Sequence, residues 1–322
     1  MPSFRQELQE HTLELVWSLW AELGVSGWRR HHTSHGIDPE PLVIFTAWLG
    51  DLDPRLRDES TDWCIHYGRY VAGTRLKNFL SEEPDDVRRG FGPYAATVGA
   101  HSPLRWPYPT KPRRYQPTNR SKIESFRSPS LISLRLRALL GTTARAEIVR
   151  IFLSNPDAAM TAADLAPGVG YTKRNVAEAL DALRLAGLLE VAPWRNQLKY
   201  RLTRAKELAS LAGDLPVYFS RWRPLFRILR RALEISERAE ELQPVVQLVE
   251  TDRTLREMGS DLQGAHLTGP VRGSNNEMVW PAFTEWVLAL ARGLASGDSG
   301  TWPWTDWTPS RWNGGRQELA AT

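Results

Sequence analysis

One cysteine, Cys64, in 322 residues excludes a disulfide within the chain and suits a reducing compartment. No stretch approaches the roughly 20 consecutive apolar residues that span a bilayer. The N-terminal stretch is amphipathic and acidic, unlike the basic-then-apolar layout of a secretory signal. A cytoplasmic location and no membrane partner are therefore expected. Also missing are the GxxxxGK[ST] phosphate loop, the HExxH zinc motif and the GxSxG nucleophile elbow. No enzymatic activity and no cofactor are expected.

What is present is ordinary in amount and uneven in placement. The chain is 42% hydrophobic and 24% charged, as a globular protein should be, and long enough for two or three cores. Its 14 tryptophans are expected to anchor cores or interfaces. The net charge is only +4, but residues 1–100 hold 10 basic against 15 acidic side chains. Residues 101–140 hold 9 against 1, residues 141–203 hold 8 against 6, and residues 204–322 hold 14 against 15. The positive charge is thus concentrated in one stretch, which points to a polyanionic partner.

The expected fold class is mainly α, with a small β-hairpin near the middle. Residues 1–100 read as an N-terminal helical domain. Leu13, Val16, Leu19, Trp20 and Leu23 recur at helical spacing, and Gly24 can end that helix. Asp38-Pro39-Glu40-Pro41 opens a second helix with Phe45, Trp48, Leu49 and Leu52 on its stripe. Asp53-Pro54 opens a third with Leu56, Trp63, Cys64 and Tyr67. Thr74 is placed to cap a fourth through Leu76, Phe79 and Leu80, with the helices ending near Glu83-Pro84.

Residues 101–130 contain six prolines and read as a basic, extended, partly ordered linker. A further helical domain is expected over 204–295. Within it, Arg223, Arg227, Arg230 and Arg231 oppose Leu225, Ile228, Leu229 and Ala232, as on a solvated helix face. Residues 296–322 form a tail expected to dock through Trp302, Trp304, Trp307 and Trp312 or to stay flexible.

Residues 131–203 carry the densest pattern. Thr143 starts a helix with Ile148, Ile151 and Phe152 on its apolar face, stopped by Asn155-Pro156. Thr161-Ala162-Ala163-Asp164 matches a capping box with Asp for Glu, and Pro167-Gly168-Val169-Gly170 is expected to break the short helix it opens. Thr172 caps the next, whose buried face is Val176, Ala179, Leu180 and Leu183, and Gly187 provides the stop. Leu188–Val191 and Gln197–Leu202 alternate as strands around a Pro193-Trp194-Arg195-Asn196 turn.

Helix, helix, turn, helix and hairpin in this order resemble the winged helix-turn-helix regulators of the ArsR and MarR kind. Thr172, Val176, Leu180, Leu183, then Ala186-Gly187-Leu188-Leu189 and the hairpin through Arg201 carry the resemblance, over about 70 of 322 residues. It implies a transcriptional regulator that dimerises and binds a paired half-site in double-stranded DNA. It does not imply metal sensing, because residues 161–186 contain no cysteine.

A major groove admits a helix whose N-terminal side chains meet base edges and phosphates. Arg174 and Glu178 lie opposite the apolar face and Asn175 to one side, and Arg and Asn suit guanine and adenine. Lys173 and the helix-start N–H groups are placed for phosphates, and Tyr171 and Thr172 are counted with them as DNA-binding. Trp194, Arg195, Asn196, Lys199 and Arg201 would meet the backbone or minor groove. Arg113, Arg114, Arg120 and Lys122 would add phosphate contacts from the linker. A homodimer through flanking helices is expected, with Trp17, Trp20, Trp222, Trp280 and Trp286 as candidate anchors.

The sequence is open to two other readings. The chain could be an antitoxin-like or defence-associated interaction protein, with a protein partner and a winged helix controlling its own gene. It could be a metal-dependent nucleic-acid enzyme, with His31, His32, His35, Cys64 and His66 as ligands, but their spacing matches no strong zinc signature and Arg29-Arg30 adds positive charge. Asp51, Asp53, Asp58 and Asp62 read as helix caps and exposed faces, and Cys64 as core.

Overall fold

The computed structural model describes residues 2–27, 30–239, 242–270 and 279–298. Among these the chain is mainly helical, with one two-stranded hairpin. The first five helices are α1 (Phe4–Glu22), α2 (Pro39–Leu49), α3 (Pro54–Tyr67), α4 (Gly73–Ser81) and α5 (Asp85–His101). Next come α6 (Ile132–Leu140), α7 (Ala144–Ser154), α8 (Ala162–Val169) and α9 (Lys173–Leu185). The hairpin β1 (Leu189–Trp194) and β2 (Gln197–Leu202) follows. The last four helices are α10 (Ala205–Ala212), α11 (Trp222–Ala239), α12 (Pro244–Ala265) and α13 (Val279–Ser296). No described helix is long and apolar enough to cross a membrane.

Two units emerge, and they cut across the linear partition read from composition. The smaller groups α1 with α11, α12 and α13; the larger holds α2 to α10 and the hairpin. In the smaller unit, α11 and α12 run antiparallel. Gln247 donates to the Ala239 carbonyl at one end, and Gly264 abuts Pro224 at the other. The arginine stripe of α11 is not a solvated face. Arg227 and Arg231 pair with the buried Asp261 of α12 at 3.3 and 2.9 Å, and Arg230 is buried. Trp20 and Trp222 are fully buried, so these two expected anchors are packed inside the chain and are not on its surface. The Trp-rich tail lies outside the described residues.

In the larger unit, α2 opens at Asp38 as expected, and Asp53 caps α3 by accepting from the Leu56 N–H at 3.0 Å. Thr74 does not cap α4, which starts one residue earlier; there the Ala72 N–H is taken by the Glu40 carboxylate instead. The helices do not end at Pro84 either. It precedes α5, which continues through Pro93, because one lost backbone bond is tolerated in a helix held by buried Phe91, Tyr94 and Val98. Likewise α8 runs through Pro167 and stops only at Gly170.

One core joins α6, α7, α8, α9, the hairpin and α10. Ile148, Phe152, Leu165, Val176, Leu180, Leu183, Leu189, Tyr200 and Leu208 all lie in it. The packing therefore extends past residue 203 to include α10. An antiparallel bridge between Met160 and Tyr200 ties the segment before α8 to β2.

Candidate nucleic-acid interface

Local chemistry sets the start of α9. The Thr161–Asp164 capping box is formed in both directions, giving α8 a defined first turn despite its length. Gly170 then ends α8 at φ +72°, a left-handed geometry that favours glycine. Thr172 caps α9 by accepting from the Asn175 N–H at 3.3 Å. Val176, Ala179, Leu180 and Leu183 are buried, so the opposite face is left to solvent. Arg174 and Glu178 are exposed on it, and Thr172, Lys173 and Asn175 are exposed at the same end of the helix. Arg174 donates from Nε to Glu178 Oε1 at 3.0 Å, and its side chain is 88% exposed.

In the hairpin the register pairs Leu189 with Leu202, Val191 with Tyr200 and Trp194 with Gln197. Alternation puts Glu190, Ala192, Trp194, Gln197, Lys199 and Arg201 on one face. There the Lys199 ammonium lies 4.0 Å from the centre of the Trp194 ring, a cation–π contact, and Arg201 donates to Glu190 at 2.6 Å. Arg195 occupies the two-residue tip at φ +56°, where glycine or asparagine is usual. Trp194, Arg195 and Asn196 are exposed; Lys199 is half-buried.

The basic stretch is folded down, not slung between domains. The fully buried Asp62 accepts the backbone N–H groups of Thr118 and Asn119 on Oδ1 at 2.8 and 2.9 Å. Its Oδ2 accepts those of Arg120 and Ser121 at 3.1 and 3.3 Å. Burial opposes ionisation of Asp62, but these N–H groups and nearby His66 outweigh it and hold the carboxyl below its usual value. Asp62 is thus neither a cap nor an exposed-face residue. The Arg113 N–H donates to Thr97 Oγ1 at 2.9 Å, and Tyr115 to the Asp58 carbonyl at 3.1 Å. Arg114, Arg120 and Lys122 are exposed, Arg113 half-buried. These anchors are on α3 and α5, whereas α9 packs on α7 and α8, so the contacts bring the two sets of cations to different helices.

Some of the expected cations are spent internally. Arg135 donates to the carbonyls of Phe126, Arg127, Ser128, Ala212 and Asp214. Arg137 is buried in a cluster that sequence reasoning missed. Its guanidinium binds Glu40 at 2.7 and 2.8 Å and Glu147 at 2.7 and 2.8 Å. Arg75, fully buried, grips both oxygens of Asp38 at 2.7 Å and also contacts Glu40. Arg150 bonds Glu147 at 3.1 Å. Three guanidiniums thus face three carboxylates. Burial resists the charge on Asp38 and Glu147, yet the arginines hold both carboxyls below their usual range. The only sequence sign was an acidic pair among prolines at the start of an otherwise apolar helix.

Tyr171 is half-buried against the common core, its hydroxyl 3.5 Å from the Thr142 carbonyl, and burial pushes its phenol up to about 12. It supports the turn and does not face outward with α9. His32, His35, His66 and Cys64 have separate partners. His32 bridges Ser18 Oγ and the Leu294 carbonyl, each at 2.8 Å, and His35 stacks on Tyr218. His66 Nδ1 lies 2.7 Å from the Asp62 carbonyl. Cys64 is buried 3.5 Å from the Tyr94 hydroxyl, and burial pushes its thiol up to about 12. Among the described residues no group of three or more His, Cys, Asp and Glu is placed to hold a metal. Compared with family models, curated proteins and solved structures, the chain finds no match.

Proposed function

We propose that this protein is a sequence-specific DNA-binding transcriptional regulator, and that α6 to α9 with the hairpin act as a winged helix-turn-helix. The observation that carries the reading is the first turn of α9. A capped, core-backed helix presents Lys173, Arg174 and Asn175 to solvent, as a recognition helix entering a major groove would. Glu178 takes only the Nε of Arg174. Both terminal nitrogens stay available for the O6 and N7 of a guanine, so a required G·C pair is expected. Trp194 and Arg195 at the hairpin tip suit backbone or minor-groove contact. A homodimer follows because one such helix reads only a few base pairs; sedimentation at micromolar concentration should give twice the 36.5 kDa chain mass.

Selection of duplexes from a random pool by the full-length protein tests the reading. Enrichment of a G-containing site, with a strong salt dependence of binding, is the expected result; no enrichment at low salt would overturn it. The interaction-protein reading draws on a different observation. Leu185, Leu198 and Leu211 are 72%, 49% and 66% exposed on or next to the same elements, while Glu178, Asp181 and Glu190 offset their cations. Co-purification of a stoichiometric protein partner, with no duplex enriched, would favour it.

A further inference from the structure

We propose that α4 positions the DNA-reading helix, with Asn78 and Arg75 as its two fixing residues. This rests on the reading of α9 as the recognition helix. The turn between α8 and α9 leaves two carbonyls that no helix satisfies, Val169 O and Gly170 O. Arg75 Nε donates to the first at 2.9 Å and Asn78 Nδ2 to the second at 3.0 Å. Both donors come from α4, more than 90 residues upstream in the chain.

Three further facts make this a fixed mount. Arg75 cannot swing, because its terminal nitrogens are locked on both oxygens of Asp38. The turn lies so close to α4 that a Cβ on Gly170 would come within 2.6 Å of the Phe79 ring. Thr172, the cap of α9, follows Gly170 by two residues, so any shift of the turn passes directly to Lys173, Arg174 and Asn175. Base reading requires side chains placed to within about half an ångström. In this account α4 belongs to the DNA-reading assembly, although it lies in a part of the sequence with no resemblance to one.

Asn78 is the residue to test, because it is only half-buried and stands outside the ionic cluster. Full-length wild type, Asn78→Ala and Asn78→Asp are titrated, at one salt concentration, with a duplex selected from a random pool and with an unrelated duplex of equal length. Their thermal unfolding is measured alongside. Asn78→Ala should weaken binding to the selected duplex about fivefold, the loss of one hydrogen bond. Asn78→Asp, which sets a carboxylate against the Gly170 carbonyl, should weaken it more. Binding to the unrelated duplex should stay unchanged, because phosphate contacts tolerate a tilted helix.

If both variants, still folded, keep the wild-type preference for the selected duplex, α4 does not position α9 and the proposal is overturned while the DNA reading stands. Equal losses on both duplexes in step with lower melting temperatures would reduce Asn78 to a structural role and overturn it too. If wild type enriches no duplex, the DNA reading itself fails and takes this proposal with it.

Discussion

Arginines in the larger unit fall into two populations. Arg75 and Arg137 are fully or almost fully buried and are surrounded by Asp38, Glu40 and Glu147. Arg174 has a side chain 88% exposed and one partner, Glu178, a single turn away. The chemistry of the group is the same and burial separates the roles. A guanidinium removed from water must keep its carboxylates, because losing one strands a charge in a medium that cannot solvate it. An exposed i,i+4 pair is worth only about 0.3–0.5 kcal/mol, so Arg174 can exchange its partner for a base edge at little cost. The buried set fixes the frame and the exposed set is free to bind.

The largest effect expected from breaking this contrast is in the buried set. Arg137→Ala should cost about 3–5 kcal/mol, because it leaves Glu40 and Glu147 without their main partner. Denaturant unfolding of the full chain measures it, and a loss below 1 kcal/mol would mean the cluster is solvated. Asp62→Ala should cost about 3 kcal/mol by stranding backbone N–H groups around residues 118–121. The same residue predicts a pH dependence. Its folded carboxyl lies below the usual value, so its contribution is complete above the unfolded pKa of about 4 and is lost as pH falls through the folded value. Wild type should therefore lose stability in acid more steeply than Asp62→Asn does.

On the exposed side, neutralising Arg113, Arg114, Arg120 and Lys122 should leave stability nearly unchanged. It should reduce the slope of log K against log salt by about 0.9 for each phosphate contact removed. An unchanged slope would make the folded-down segment structural only. The smallest effect is at the hairpin tip. Arg195→Gly should stabilise the fold by up to about 1 kcal/mol, by relieving a left-handed residue, yet weaken DNA binding. A gain in both would show that the arginine is not kept for contact with a ligand.

The same contrast explains what could be read from the sequence. The α9 cap at Thr172, its buried Val176–Leu180–Leu183 face, the Thr161–Asp164 box and the presence of the hairpin were legible, because each depends on residues a few positions apart. The turn was read too long, since Pro193 and Trp194 pair in β1 and only Arg195 and Asn196 form the tip. The ionic cluster was not. Arg137 and Glu40 are 97 positions apart, and a lone charge in a sequence looks solvated until its partner is known. The same blindness made the α11 stripe look exposed and Asp62 look like a surface residue. Among the basic residues of 101–140, Arg135 and Arg137 counted towards a polyanion site although both are committed within the fold. Proline misled twice: Pro84 precedes a further helix instead of closing the series, and Pro167 sits inside α8, where tertiary packing offsets one missing helix bond.

The central claim is that the first turn of α9 reads DNA. Its most direct test is the affinity of wild type and Arg174→Ala for a selected duplex, and for that duplex with its required G·C pair changed to A·T, at one salt concentration. The account predicts that Arg174→Ala loses about 1–3 kcal/mol on the G·C duplex and no longer distinguishes the two, with unfolding unchanged. Equal affinity of both proteins for the G·C duplex would contradict it.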